Sequence, residues 1–516
     1  MIKPRFLVGF TGHRSGVNES IIAPRLREVL QSLCQKAESV GGQAELYAGV
    51  AEGGDTLCVE LARGIDMPVH LMLPLDGPEF QRDFSSSDAW ERTFAQISAA
   101  RERPGRNSVH VDSGDGKRPD CYFNQGASML AAVDVLVALW NGQAAMGLGG
   151  TEQVMNQAKA MGIPVIRIVL ATGEIEQHGD VDNCFREDSI IKEINELSAP
   201  FQKVVPTSPE LYQKALDQLA VQESGRFRPS LAAVILTYGT AALLGTPVAL
   251  SVINEATVKG GASFEHFWNE CKWICIAAEL VLVCGALWMN WRLHDRCRRE
   301  RCRVACEVVR GLRYSIPVIS AFRPIIALRD PEWHRFALSA GLFVQEHSSG
   351  LGLVEARDHY ICGRLSDTQT EGQIRHYQMT RPAAMMWWKI TSAIGFWSAA
   401  LAPVSVLFAL LSHPNTSHVS GLALHLDDGL LALRLVTLMP IALPLMAGFA
   451  ISLRHVTDTR GKAERSHQMV LRIAAIKRTL SGMQTASTIG LGIQHAENLL
   501  LDDLLECQRC LKTSDH

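Results

Sequence analysis

A second cysteine pair at zinc spacing is missing from this sequence. Its 516 residues include 13 cysteines, but Cys507 and Cys510 form a lone CxxC, Cys275 and Cys284 lie inside an apolar run, and Cys297, Cys302 and Cys306 sit in a basic stretch. A structural zinc site needs four convergent ligands, so the pattern reads as reduced thiols on a cytosolic face, with no metal and no cofactor expected. An excess of one charge sign is missing too. Lys and Arg number 50 against 53 Asp and Glu, a formal net charge of -3, which argues against a general nucleic-acid binder. The N-terminus, MIKPRFLVGFTG, has too short an apolar core and no small-residue cleavage signature, so the marks of a removable signal peptide are absent.

Apolar residues are plentiful and bunched. They make up 47% of the chain, and a mean hydropathy of +0.07 conceals a strong asymmetry, since the long runs fall after residue 229. SLAAVILTYGTAALLGTPVALSVI (230–253), WICIAAELVLVCGALWMNW (273–291), ITSAIGFWSAALAPVSVLFALL (390–411) and GLLALRLVTLMPIALPLMAGFAISL (429–453) each approach the roughly 20 residues that a helix needs to cross a bilayer. Four transmembrane helices in two hairpins are expected. Glu279 and Arg434 are the ionisable residues inside them, too few for a transporter's ion pathway.

Lysine and arginine set the expected orientation. Arg226 and Arg228 precede the first run, RLHDRCRRERCR follows the second, Arg381 and Lys389 precede the third, and RHVTDTRGKAER follows the fourth. The connector NEATVKGGASFEHFWNE has one lysine against three glutamates, and SHPNTSHVSGLALHLDDG has no Lys or Arg. By the positive-inside rule both termini and the central segment face the cytoplasm. Each hairpin runs into a basic, helix-patterned stretch, the plan of a duplicated module. Those stretches read as helix exits obeying the positive-inside rule, with binding to anionic lipid headgroups as the alternative.

The first third of the chain has another character. Short Val-, Leu- and Ile-rich runs at 5–10, 44–49, 68–73, 133–140 and 164–170 alternate with stretches whose apolar residues recur every three or four positions and end at glycine. Such alternation means βαβ units, and continuously apolar strands mean a parallel sheet covered on both faces. The expected fold is therefore α/β: a Rossmann-like, doubly wound parallel-sheet N-terminal domain, followed by an all-α membrane region with four transmembrane helices. The expected divisions are a nucleotide-binding domain over 1–175, a connector over 176–228, a first hairpin with its cytoplasmic helical segment over 229–388, and a second hairpin with C-terminal cytoplasmic helices over 389–516.

Three glycine-bearing turns follow strands: GFTGHRSG, AGVAEGGDTLCVELA and WNGQAAMGLGGTEQVMNQA. Glycine permits positive φ and close approach to backbone N–H groups, and each turn feeds a helix whose N-terminus favours an anion. The candidate ligand-binding residues are Gly12, His13, Arg14, Gly53, Gly54, Asp55, Gly149, Gly150, Thr151 and Glu152, with Tyr122 and Asn124 as candidates for base or ribose contacts. Arg14 would pair with a phosphate, and His13 would bond a ribose or phosphate oxygen. Asp55 and Thr151 equally suit helix N-caps.

The succession FTGHR, AEGGDTLCVELA and YFNQGASMLAAVDVLVALWNG, ending in GLGGTEQVMNQAKAMGIPVI, resembles the SLOG superfamily of Rossmann-like nucleotide-binding domains, which includes LOG-type phosphoribohydrolases and DprA-type DNA-processing proteins. The likeness covers about residues 1–170. Less specifically, the paired apolar runs with trailing basic helices resemble the SLATT-type membrane modules that accompany SLOG domains in bacterial conflict systems. The resemblance implies a membrane-anchored sensor and effector in the bacterial inner membrane. It would bind a nucleotide-derived second messenger in the cytoplasm, alter the bilayer's integrity in anti-phage defence, and act as a homo-oligomer without specific nucleic acid. In the hydrolases a glutamate stands three residues after the threonine of the GGT turn, assisted by a nearby arginine. Here Val154 holds that position, Glu152 follows Thr151 directly, and no Arg or Lys occurs from Cys121 to Ala158. A carboxylate displaced along a helix points elsewhere, so no catalytic residue is assigned; a membrane-anchored nucleotide N-glycosidase is the alternative.

Overall fold

A computed structural model of the chain describes residues 2–102, 106–111, 117–144, 149–201, 208–222, 296–318, 333–347, 351–369, 372–411 and 459–513, with isolated positions between 281 and 451. The chain divides into two compact units. The first comprises Met1–Leu219, Arg301–Tyr360 and Leu480–His516, and the second Ala220–Glu300 and Ile361–Thr479.

The first unit is built on a seven-stranded sheet in the order β4-β3-β2-β1-β5-β6-β7. Its strands are β1 (Arg5–Gly12), β2 (Gln43–Ala48), β3 (Val69–Leu73), β4 (Ser108–Val111), β5 (Val135–Trp140), β6 (Val165–Val169) and β7 (Ile175–His178). All pairs are parallel except β6 with β7. The helices are α1 (Glu19–Ser39), α2 (Gly54–Gly64), α3 (Gly77–Gln81), α4 (Ser87–Arg101), α5 (Arg118–Leu130), α6 (Thr151–Ala160) and α7 (Ser189–Ser198).

The expected doubly wound sheet is present, and its central strand shows why it forms. Phe6, Val8 and Phe10 of β1 alternate into a core shared with Ile22, Leu26, Leu30 and Leu33 of α1, which recur at helical spacing. Asn18 starts that helix by accepting from the Ser20 N–H, the usual N-cap device. Two strands of the sheet were not among the five expected. β4 is a four-residue edge strand, SVHV, fixed by pairing with β3 and by the Asn107 side chain, which accepts from the Val69 N–H at 3.0 Å. β7, IEQH, is mostly exposed and pairs antiparallel to β6. Neither has the apolar run that identifies a buried strand.

The unit is discontinuous in sequence. Helix His334–His347 packs on β1, where Ser339 Oγ accepts from the Arg5 N–H at 3.0 Å and Arg335 Nη2 donates to Asp134 at 3.0 Å. Among helices Arg296–Ser315, Leu353–Gly363 and Ala486–Thr513, the buried Glu497 carboxylate accepts from Tyr360 Oη at 2.8 Å. Cys507 and Cys510 lie on the last of these helices.

In the second unit, helix Gln373–Leu411 runs 39 residues, roughly 58 Å at 1.5 Å per residue. Among the described residues it is the one helix long and apolar enough to cross a membrane. Its apolar side chains are open to the surroundings: Phe396 is 66% exposed, Trp397 61% and Leu407 59%. Thr391, Gly395 and Ser398 form its buried stripe. The third expected span lies in this helix. The first run lies outside the described residues, as does the second with Glu279 except for Val281; of the fourth, positions 439, 443, 444, 446–448, 450 and 451 are described, all helical, and Arg434 is not among them.

Candidate functional site

The β1 and β5 neighbours lie where the strand order turns, since β1 connects onward to β2 on one side and β5 to β6 on the other. A crevice at the carboxyl ends of such strands is the usual ligand position in open α/β sheets. His13 N donates to Leu139 O at 3.2 Å, and Gly54 N donates to His13 O at 2.9 Å, so the first two glycine turns lock together beside β5. Gly53 holds φ at 88°, and a Cβ built there would stand 2.3 Å from Arg14 O. Only glycine fits this crossing of two backbones.

The third turn closes on the first through Tyr122. A Cβ on Gly149, at φ 81°, would stand 2.9 Å from the Tyr122 backbone carbon, while the Arg14 guanidinium lies 4.9 Å from the centre of the Tyr122 ring. Tyr122 Oη donates to Asp83 at 2.5 Å. Burial, with that acceptor, pushes the phenol's pKa up. Gln153 Oε1 accepts from the Gly149 N–H at 2.8 Å. Asp83 and Gln153 were not among the expected site residues: one lies in a loop without a motif, the other next to Glu152.

Both helices at the crevice begin on glycine. Gly53 caps α2 and Gly150 caps α6, neither with a side-chain hydrogen bond. This corrects the N-cap expectation for Asp55 and Thr151, which sit inside the first turns. The half-buried Asp55 side chain instead reaches across to β1, where its carboxylate accepts from the Gly12 N–H at 3.0 Å. Burial raises its pKa from 3.8 to about 7, against the opposing pull of Arg14 and of the Ala51 and Gly12 N–H groups.

His13 Nε2 is buried without a hydrogen-bond partner among the described residues, a state that costs about 1–3 kcal/mol. Arg14 is exposed, Thr151 and Glu152 are half-buried, and Asn124 is exposed on α5. The structure thus links Gly12, His13, Arg14, Gly53, Gly54, Asp55, Tyr122 and Gly149 by direct contacts, with Gly150, Thr151 and Glu152 continuing from Gly149. Asn124 is not tied into that set. Val154 is buried, its Cγ2 3.0 Å from where a Gly126 Cβ would stand.

No protein-family model matches this chain, and no curated protein matches it.

A second polar cluster, not legible in the sequence, lies toward the amino ends of the strands. Arg5 bonds Glu45 and reaches Glu346 at 2.7 Å; Glu45 Oε2 lies 2.7 Å from His70 Nε2, and His70 Nδ1 lies 2.8 Å from Ser108 Oγ. Burial raises the Glu45 pKa, but the His70 hydrogen bond and the Arg5 charge outweigh it and leave the carboxyl below its ordinary value. Glu45 and His70 are each 1% exposed, so the chain of contacts ties four strands to helix His334–His347.

Proposed function

We propose that this protein is a membrane-anchored sensor whose α/β unit binds a phosphate-bearing, nucleotide-derived ligand at the carboxyl ends of β1 and β5, and whose apolar helices carry the response into the bilayer. The observation that carries the ligand assignment is that the His13–Arg14 turn, bonded to the start of α2 through Gly54 N, also lies against Tyr122, which in turn abuts Gly149 just before the cap of α6. The start of α6 offers N–H groups and a positive dipole end to an anion, while in α2 the Gly54 and Thr56 N–H groups already donate to His13 O and Ala51 O, so that helix adds chiefly its dipole. Arg14 adds a cation beside the Tyr122 ring, and a ligand oxygen at His13 Nε2 would relieve its unpaired burial.

Support for paired spans comes from the discontinuity of the first unit. Leu219 and Arg301 belong to it, as do Tyr360 and Leu480. A chain that leaves this unit through a bilayer and returns to it crosses an even number of times. If helix Gln373–Leu411 is one crossing, its return falls before Leu480, where the run 429–453 lies. We infer four spans, with both termini in the cytoplasm of a bacterial cell. Ligand binding shifts the population between two packings or association states of a homo-oligomer, and membrane permeability follows. The place in anti-phage defence rests on the SLOG and SLATT resemblance alone.

The test is mass spectrometry of small molecules retained by the full chain purified in a neutral detergent. Recovery of a nucleotide-derived phosphate compound is the expected result. A chain that retains none from cells in which it is active would sink the assignment.

A further inference from the structure

The second unit contains a groove of about 270 Å3 between the start of helix Gln373–Leu411 and helix Thr459–Ser481, lined by Arg381, Met385, Trp388, Arg460, Ala463 and Glu464. Two cations face one carboxylate. The Arg460 guanidinium lies 5.8 Å from the Trp388 ring centre, and Arg381 Nη1 donates to His467 Nδ1 at 3.1 Å. That bond aims the Arg381 side chain without neutralising it, since an acceptor Nδ1 belongs to the uncharged imidazole. Among the described residues neither arginine has a carboxylate ion pair.

The surroundings identify the occupant. Trp388 stands two residues before Ile390, where the apolar run begins, and Trp387 beside it is 55% exposed. Indole rings at the end of an apolar helix mark the headgroup level of a bilayer. From there the helix presents Ile394, Trp397, Leu401 and Val404, all exposed, as a surface for acyl chains. A groove lined by two arginines that have no carboxylate ion pair among the described residues, with Glu464 as its one carboxylate, next to a helix whose following apolar residues are exposed, matches a molecule with an anionic head and hydrocarbon tails.

We propose that this groove binds one anionic phospholipid, its phosphate between Arg381 and Arg460 and its glycerol and upper acyl region against Trp388 and Met385. The site rests on the assignment of helix Gln373–Leu411 to the membrane. It would make the position of helix Thr459–Ser481 depend on the lipid at the foot of the span.

The experiment uses the full chain extracted in a neutral detergent, titrated with phosphatidylglycerol or phosphatidylcholine and read by native mass spectrometry. One phosphatidylglycerol should be retained in preference to phosphatidylcholine. Replacing both arginines, Arg381→Gln with Arg460→Gln, should reduce retention about a hundredfold, about tenfold for each charge-assisted contact. Arg472→Gln, an exposed position on the same helix as Arg460, should cost no more than about fivefold, the general attraction of one surface charge. Arg381→Lys, which keeps the charge, should retain part of the binding and guards against a folding defect. Equal losses in the double variant and in Arg472→Gln would overturn the site, as would displacement of the lipid by an equal concentration of inorganic phosphate. If alkaline washing strips the chain from membranes, the membrane assignment fails and this site with it; a chain that stays in membranes but shows no preference for the anionic lipid overturns the site alone.

Discussion

The Gly12 N–H donates to the half-buried carboxylate of Asp55 at 3.0 Å, fastening the end of β1 to the first turn of α2. The acceptor is in an unfavourable place for a charge, since burial lifts its pKa from 3.8 to about 7. An acid with a raised folded-state pKa stabilises the fold fully below its unfolded pKa, and that contribution is lost as pH rises through the folded value. The window therefore runs from about pH 4 to about pH 7. Asp55→Asn keeps an oxygen for Gly12 but cannot ionise. Thermal unfolding should show the variant melting about 5 °C or more above the parent at pH 8 and within a degree or so of it at pH 4. A constant difference across pH would mean Asp55 is not the group that titrates.

Ligand contact and membrane insertion should separate by mutation. Gly150→Glu places a carboxylate at the start of α6, where a phosphate would sit, and Arg14→Ala would remove the proposed charge-assisted bond to that phosphate, worth roughly 1.5–3 kcal/mol, at least about tenfold in affinity. Both variants should still fractionate with membranes but lose the retained ligand and any ligand-triggered leakage. Unchanged retention in both would place the binding site elsewhere.

Gly53→Ala tests the crossing itself. At φ 88°, with Arg14 O 2.3 Å from the new Cβ, the methyl group cannot be housed without moving the His13–Arg14 turn. Strain of this kind costs about 1–3 kcal/mol before the clash is counted. Gly64→Ala, where a Cβ meets nothing within 4 Å, is the control and should melt near the parent temperature.

Arg5→Leu should leave Glu45 and Glu346 without the cation that both face. Breaking one partner of a buried ion pair costs about 3–5 kcal/mol. Since Arg5 joins β1 to helix His334–His347, limited proteolysis should cut near that helix faster in the variant. Protection equal to the parent would show that the helix is held by other contacts.

Base release separates sensing from hydrolysis. Val154, which the proposed SLOG resemblance sets at the position of the hydrolases' glutamate, is buried and carries no carboxylate, so incubation of the full chain with a panel of nucleoside monophosphates should free no base. Release at ordinary enzymatic rates would favour the N-glycosidase alternative. Topology has its own assay: single cysteines near 262 and 420 should be labelled from outside, and those near 340 and 510 only after permeabilisation. Labelling of 340 from outside would remove the four-span arrangement.

The sequence by itself determined the parallel sheet, because strands buried on both faces must read as apolar runs and the helices between them must repeat every three or four residues. It also marked the glycine turns, since positive φ and close backbone approach leave few other residues possible. Tertiary structure decided what these signals could not reach. β4 and β7 are strands because β3 and β6 offer them hydrogen-bonding edges. Asp55 is a cross-brace instead of a cap because β1 brings the Gly12 N–H within its reach. The Arg5–Glu45–His70–Ser108 chain and the Arg381–Arg460 groove join residues far apart along the polypeptide. Side chains with no local pattern acquire a partner only when folding fixes the distance between them.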